Sequence, residues 1–379
     1  MSNKTDESER ARPLRRTPLY ALHEELGAKF APFAGYAMPI EYGQGLKAEH
    51  LHTRAAAGLF DVSHMGQIAV RGPTIIDDFA ALVPSDIASL SLYHQRYSVL
   101  TNDRGGIIDD LMITRLPDQL FVVANAAFKA GDVAHIEERL GRGCTIELLA
   151  ERALIALQGP AAAACLGKWD DTINRLGFMR AGYFRFAGIE CLVHRCGYTG
   201  GDGFELSLAA GDAPSFARML LEDDAVEPAG LGSRDTLRLE AGLCLAGVDF
   251  DAMTTPVEAA LEWVIARKYH RRSPTAARFP GASTILTQLS DGVTRRRVGL
   301  ASTGRIPVRP DTVVFHGERD VGRITSGSYG PSLGVPIAMG YIDSEFTATG
   351  TQLHVVIRGR SHAIRVADLP FIAHAYHRV

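Results

Sequence analysis

Cysteine is scarce in this 379-residue chain: there are five, Cys144, Cys165, Cys191, Cys196 and Cys244, and no two form a CxxC pair. An odd, scattered set makes neither a disulfide framework nor a structural zinc site, and reads as reduced core thiols. Long apolar runs are missing too, none approaching the roughly 20 residues that span a bilayer. Neither sign of charge is in excess, with 40 Lys and Arg against 43 Asp and Glu and a net charge of −3. Nothing global therefore favours nucleic acid or a membrane, and any electropositive site must be local. No GxxxxGK[ST], no GxGxxG between a strand and a helix, and no GxSxG occurs, which disfavours P-loop, Rossmann and nucleophile-elbow chemistry. His50-Leu51-His52 is the only close histidine pair outside the C-terminal tail. Without HExxH or an acidic partner pattern it gives no reason to expect a metal. The first sixteen residues lack the apolar stretch of a signal peptide and carry Asp6, Glu7 and Glu9, unlike an acid-poor transit peptide. A short disordered tail over residues 1–15 and a cytoplasmic protein are the expectation.

What is present is a large apolar fraction, 46%, enough to bury the cores of two or three domains. Thr17-Pro18 is helix-starting chemistry, with Leu19, Leu22 and Leu26 on one face and Gly27 to close. Tyr97–Leu100 and Ile107–Thr114 flank the turn residues Asn102-Asp103-Arg104-Gly105-Gly106, and Leu120–Ala124 follows, which predicts a three-strand meander. Helices are expected over Lys129–Leu140 and Pro214–Leu221, and from a Ser233 cap with Leu237, Ala241 and Cys244 on one side. The composition shifts near residues 273–290. Beyond it six short strand-like segments, Val298–Ala301, Thr312–Phe315, Val321–Thr325, Ala338–Ile342, Leu353–Ile357 and Ala363–Val366, predict a C-terminal β-barrel or sandwich.

Several polar residues stand out against this background. Asp109-Asp110 interrupts an apolar, β-branched strand in which aspartate is disfavoured. Strand alternation sends the two carboxylates to opposite faces, so they are not expected to work as a close acid pair. One of them faces a pocket, or both satisfy a turn or strand end. Tyr97 and Asn125 lie in strands expected to flank Asp110; a meander brings all three side chains together, the alternatives being a core aromatic and a strand-end cap. Cys196–Glu205 is a glycine-dense turn running into a strand, where glycine permits close backbone approach to a ligand. The Arg267–Arg272 stretch and Arg295-Arg296-Arg297 form the one concentrated basic feature, a solvated charge run or a docking patch for an acidic partner.

Eight segments in order carry a resemblance: RTPLYALHEELGAKFAPFAGYAMPIEY (16–42), HTRAAAGLFDVSHMG (52–66), YSVLTNDRGGIIDDLMI (97–113), ALQGP (156–160), RCGYTGGDGFEL (195–206), GLGSRDTLRLEAGLCLAG (230–247), TTPVEAALEWVI (254–265) and GRITSGSYGPSLGVPIAMGYI (322–342). The chain is thereby similar to the T-protein family of folate-dependent aminomethyltransferases over nearly its whole length. The resemblance implies an α+β fold: a folate-binding region of two intertwined α+β subdomains, residues 16–285, then a C-terminal β-barrel, residues 286–379. It implies transfer of a methylene from the aminomethyl-lipoyl arm of a lipoylated H-protein to tetrahydrofolate, the acceptor substrate, with release of ammonia and no metal. By the same resemblance Asp110 is the catalytic carboxylate, which orients the folate and makes its ring nitrogen a better nucleophile. Glu205 accepts from the pterin amino group and the adjacent ring N–H. Arg234, placed at a helix mouth behind Ser233, contacts the folate, unless it merely pairs with Asp235 or Glu240. Met65, Tyr97, Asn125, Tyr198 and Tyr376 lie near the ligand. Three positions depart from the family pattern: Gly131, where lysine is usual; Gly201, where an acid is common; and Ala246, where an aromatic is common. The sibling readings are a folate-dependent demethylase of a small methylated metabolite and a non-catalytic folate-binding relative whose cysteine motif is not found here.

Overall fold

Asn102 organises the first hairpin: its Oδ1 accepts from the main-chain N–H of Arg104 and Gly106, while Gly105 takes φ +91°. In the computed structural model, which describes residues 13–269, 277–302 and 304–378 and for Arg142 the backbone alone, strands Gln95–Thr101 and Ile107–Arg115 pair antiparallel about this turn. Leu120–Ala124 adds the third strand of the meander, and Gly66–Arg71 and Thr145–Leu148 complete a five-stranded sheet. Alternation sorts its residues cleanly. Leu100, Leu111, Ile113 and Val122 face a core closed by Phe79 and Ile136 from helices Ile75–Ala80 and Lys129–Leu140. The opposite face is left for a second sheet.

That second sheet has six strands in the order Ala181–Phe186, Ile189–His194, Gly203–Ala209, Arg152–Gln158, Ala57–Asp61 and Val226–Pro228. Only the last pair runs parallel. One face is covered by Leu22, Leu166, Phe216 and Leu220. The other packs on the first sheet through Phe60, Phe121, Val123, Leu154, Ala156 and Leu192, with Met65 and Met112 at the margin. The chain leaves this sheet once, after Ala57–Asp61, builds the whole five-stranded sheet from Gly66 to Leu148, and returns at Arg152–Gln158, so one of the two units is nested inside the other's sequence.

Six strands, Arg295–Ser302, Val313–His316, Arg319–Gly330, Val335–Asp343, Gln352–Ile357 and Arg360–Ala367, close into a barrel around Val298, Leu300, Val314, Ile324, Ile342, Val355 and Ile364. Each expected strand segment falls in one of them, apart from Thr312, which lies one residue ahead of Val313–His316. The class is therefore α+β with a C-terminal β-barrel. The barrel is bolted to the folate-binding part through Asp249, which pairs with Arg238 at 2.6 Å, accepts from Ser326 at 2.7 Å and receives the Tyr341 hydroxyl on its carbonyl at 2.6 Å.

Local expectations differ at four places. The first helix is Tyr20–Glu25, short of Leu26, which is 36% exposed. The helix expected from Ser233 spans Leu231–Glu240, with Gly230 at its cap, so Ala241 and Cys244 lie beyond its end. Gly230 is required there because a Cβ would meet the Ile40 carbonyl oxygen at 2.2 Å. The buried Glu49 supplies the capping acceptor in place of serine, taking the Gly230 N–H at 2.9 Å, and Ser233 instead donates to the Gly230 carbonyl. The boundary expected at 285/286 falls inside helix Ala282–Asp291, whose Ile285 and Leu286 pack with Val99 and Ile107 of the first sheet; the barrel begins at Arg295. Of the tail expected over residues 1–15, residues 1–12 lie outside the described residues, and Arg15 bridges to Tyr36. Among the described residues no helix is long and apolar enough to cross a membrane.

Candidate functional site

The margin between the two sheets gathers the polar residues. Cross-strand partners share a face, so Val99, Asp110 and Asn125 form one row and Tyr97, Met112 and Val123 the next. The Asn125 side-chain amide donates to Asp110 Oδ1 at 2.5 Å, and the Tyr97 hydroxyl also hydrogen-bonds this carboxyl. Asp110, Tyr97 and Asn125 are thus brought together. The Tyr97 ring stacks on Trp263 at 5.1 Å, a residue 65% exposed that sequence reasoning did not single out. Its signal was available: it is one of two tryptophans and sits inside the TTPVEAALEWVI segment.

Asp109 does point to the other face, as alternation requires, but the two acids are not independent. Asn125 reaches both, donating to Asp109 Oδ1 at 2.8 Å from its side chain and to Oδ2 at 3.1 Å from its main chain. Behind Asp109 lies Asp132, fully buried in the first turn of Lys129–Leu140, its oxygens unpaired unless Asp109 carries a proton between them. Burial first, then the neighbouring Asp109 charge, pushes Asp110 up to about 7, against the hydrogen bonds from Tyr97 and Asn125. Burial and the Asp132 charge push Asp109 to about 8. Asp109 is therefore more than an acid satisfying a strand end: it shares a proton-retaining, three-carboxyl cluster with the acid beside it.

The second sheet contributes the facing wall. Glu205 is 7% exposed and accepts from the Cys196 thiol at 3.5 Å. Arg234 lies in the first turn of its helix, not directly behind a serine cap, with its guanidinium 4.9 Å from the centre of the Tyr198 ring. Neither acid weighed as its partner takes it: Asp235 pairs with Arg238, and Glu240 with His50 and Arg54. One Arg234 terminal nitrogen is buried without a partner among the described residues. Burial lowers its pKa and the Glu205 charge opposes that. Tyr198 joins the two walls, lying over Arg234 on one side, donating to the Cys244 carbonyl, and close enough to Asp110 to feel its charge. Met65 is half-buried against the inter-sheet core. Tyr376 arrives from the far end of the chain and stacks on Phe178 at 3.9 Å, held by hydrogen bonds from Phe178 to His377 and from Ala375 to Gly200.

Two expectations change their physical meaning. The glycines after Cys196 admit protein rather than ligand: a Cβ at Gly197 would meet Gln158 Oε1 at 1.8 Å, and one at Gly200, at φ +73°, would meet Ala241 at 2.7 Å. Gly201, by contrast, has room for a side chain, with nothing nearer than 3.6 Å, so its departure from the family pattern leaves the turn intact. The basic patch is largely neutralised. Arg295 pairs with Glu258, Arg296 with Glu262 and Lys268 with Asp86, and Arg297 is 5% exposed; His270, Arg271 and Arg272 lie outside the described residues. His50 and His52 are each engaged separately, His50 with Thr236, Glu240 and Ser332 and His52 with the Ala225 carbonyl.

Comparison with known proteins agrees with this architecture. The family described as the GCVT N-terminal domain matches residues 19–269, and the glycine cleavage T-protein C-terminal barrel domain matches residues 295–372. The human mitochondrial aminomethyltransferase is 41% identical, covering 96% of this chain and 91% of its own length. The Dictyostelium discoideum mitochondrial enzyme is 40% identical, covering 97% and 94%. The crystal structure of glycine cleavage system aminomethyltransferase T from Bartonella henselae superposes with a TM-score of 0.91 at 44% identity, covering 97% of this chain and all of that one. This chain belongs to the T-protein family of glycine cleavage aminomethyltransferases.

Proposed function

We propose that the chain transfers the methylene of an aminomethyl group, carried on the lipoyl arm of an H-protein, to tetrahydrofolate. The observation that carries this reading is the placement of Asp110, Tyr97 and Asn125 on one wall of the inter-sheet margin and Glu205, Arg234 and Tyr198 on the other. A pterin has an amino group beside a ring N–H, and a buried carboxylate such as Glu205 accepts from both. The flat ring lies against Tyr198 and Met65, which supply apolar faces. That leaves the reacting ring nitrogen near Asp110.

In the reaction the aminomethyl C–N and C–S bonds break, and the carbon forms new bonds to two folate nitrogens. Each nitrogen gives up one proton: one goes to the departing sulfur and the other to ammonia. Asp110, as carboxylate, accepts a hydrogen bond from the attacking nitrogen and stabilises the positive charge that develops there. Asn125 and Tyr97 fix its orientation. The wall of tyrosines and the Trp263 ring shield the reacting carbon from water.

Ammonia release from aminomethyl-loaded H-protein, measured with and without tetrahydrofolate, tests the reading; a rate indifferent to folate would sink it. The cytoplasmic location read from residues 1–16 also stands as a proposal, beside relatives named as mitochondrial proteins, and cell fractionation decides between the two.

A further inference from the structure

One polar side chain in this margin has no work in the contacts above. Gln95 is 4% exposed, and neither atom of its side-chain amide meets a hydrogen-bond partner among the described residues. Buried amides are almost always paired, so an unpaired one points to a group outside the chain that completes it. Register says where it faces. Gln95 is opposite Thr114 and Thr114 opposite Phe121, a row one step along from Tyr97, Met112 and Val123 on the inter-sheet face. The Thr114 hydroxyl is buried and unpaired as well. Phe121 stacks on His194 at 5.4 Å, and His194 is the register partner of Glu205.

A second route leads to the same place. The Gln95 amide lies beside the Cys196 thiol without meeting it as a hydrogen-bond partner, and that thiol donates to Glu205 Oε2 at 3.5 Å. A buried thiol is a weak acceptor and leaves the amide essentially unsatisfied. Gln95 is therefore one side chain from Glu205 by way of Cys196, the Thr114–Phe121–His194 row leads to the same wall, and its polar atoms have no hydrogen-bond partner among the described residues.

We propose that Gln95 is a further recognition residue for the pterin ring, its amide N–H donating to the ring oxo group beside the atoms that Glu205 binds. The inference rests on the folate reading of the site. The chemistry of the two side chains is complementary. A carboxylate only accepts, so Glu205 takes the amino group and the ring N–H; the next atom along that edge is an oxo oxygen, which needs a donor. An amide provides one without adding charge. Leaving a site donor unpaired when the ring oxo group is out of reach is what makes such a contact discriminating.

Gln95→Met is nearly isosteric and removes both polar atoms. Tetrahydrofolate binding by the full chain, measured by anaerobic calorimetry, is expected to weaken about 10-fold, with KM raised in parallel and kcat within about twofold. Gln95→Glu, which turns the donor into an acceptor facing an oxygen, should weaken binding further. Were Gln95→Met not to fold, Gln95→Asn carries the test: the amide is kept but drawn back by one methylene, so Kd rises while the melting temperature holds. Wild-type affinity in the folded variants overturns the assignment, leaving Gln95 a core amide. A wild-type chain that itself fails to bind tetrahydrofolate overturns the folate reading instead, and loss of binding in Glu205→Ala but not in Gln95→Met separates the two.

Discussion

Asp110→Asn should disable the enzyme while making it more stable, and the gain should depend on pH. The unfolded chain ionises Asp110 near 3.8, whereas the folded chain resists ionisation until about 7. Between those values the native state binds more protons than the unfolded state, so wild-type stability falls as pH rises and levels off above about 7. The full cost of holding one carboxyl there is roughly 4 kcal/mol. Part of it belongs to the shared charge on Asp109, and the hydrogen bonds from Tyr97 and Asn125 weaken with a neutral amide. A net gain of about 1–3 kcal/mol at pH 8 is expected, shrinking to nothing near pH 4. Denaturant unfolding at both pH values measures it. Tetrahydrofolate should still bind, and methylene transfer should drop about 10²- to 10⁴-fold, the usual worth of a positioned acid–base group. A variant equally stabilised at pH 4 and pH 8 would refute the ionisation argument, and one retaining full activity would show that the working acid lies elsewhere.

In the wild type, the carboxylate form of Asp110 is the working one, so single-turnover transfer should rise with pH through about 7; a profile flat from pH 6 to 8 contradicts this. Glu205→Ala should lose most tetrahydrofolate affinity, roughly 100-fold, read by calorimetry, because a buried acceptor pair disappears. Gly197→Ala places a Cβ 1.8 Å from Gln158 Oε1, and should lower the melting temperature without altering the kcat of the enzyme that remains folded. Asp249→Ala removes the buried acidic partner of Arg238, leaving it only the half-exposed Asp235 as a carboxylate among the described residues, and should cost about 3 kcal/mol by chemical denaturation; Arg238→Met with Asp249→Leu together should recover much of it.

Periodicity and turn chemistry made the meander, the Lys129–Leu140 helix and the six barrel strands legible, because each depends on neighbours in sequence. The cap at Gly230 was not legible: it depends on Glu49, some 180 residues away, and on a carbonyl at Ile40 that no local pattern reveals. The same division runs through the site. Asp110 announced itself as an acid in an apolar strand, and Tyr97 and Asn125 followed from hairpin register. Asp132 did not, because an aspartate in the first turn of a helix is ordinary there, and only the tertiary packing puts it against Asp109. The arginines at 295–297 misled for the converse reason: their neutralising glutamates, Glu258 and Glu262, come from a distant loop.

The insertion of one sheet's whole sequence into the other's has a consequence for how this molecule can be built, broken and inherited. The five-stranded sheet comes from one stretch, residues 66–148, but the six-stranded sheet is drawn from both sides of it, so any cut between Asp61 and Arg152 parts Ala57–Asp61 from the rest of its own sheet. Most of the pairing that closes them is non-local, so loop closure has to precede its reward, and assembly should be slow and all-or-none. A truncated or half-synthesised chain therefore holds one wall of the cleft without its opposite. Such a protein cannot lend its binding surface to another scaffold piecemeal; it can only be copied whole.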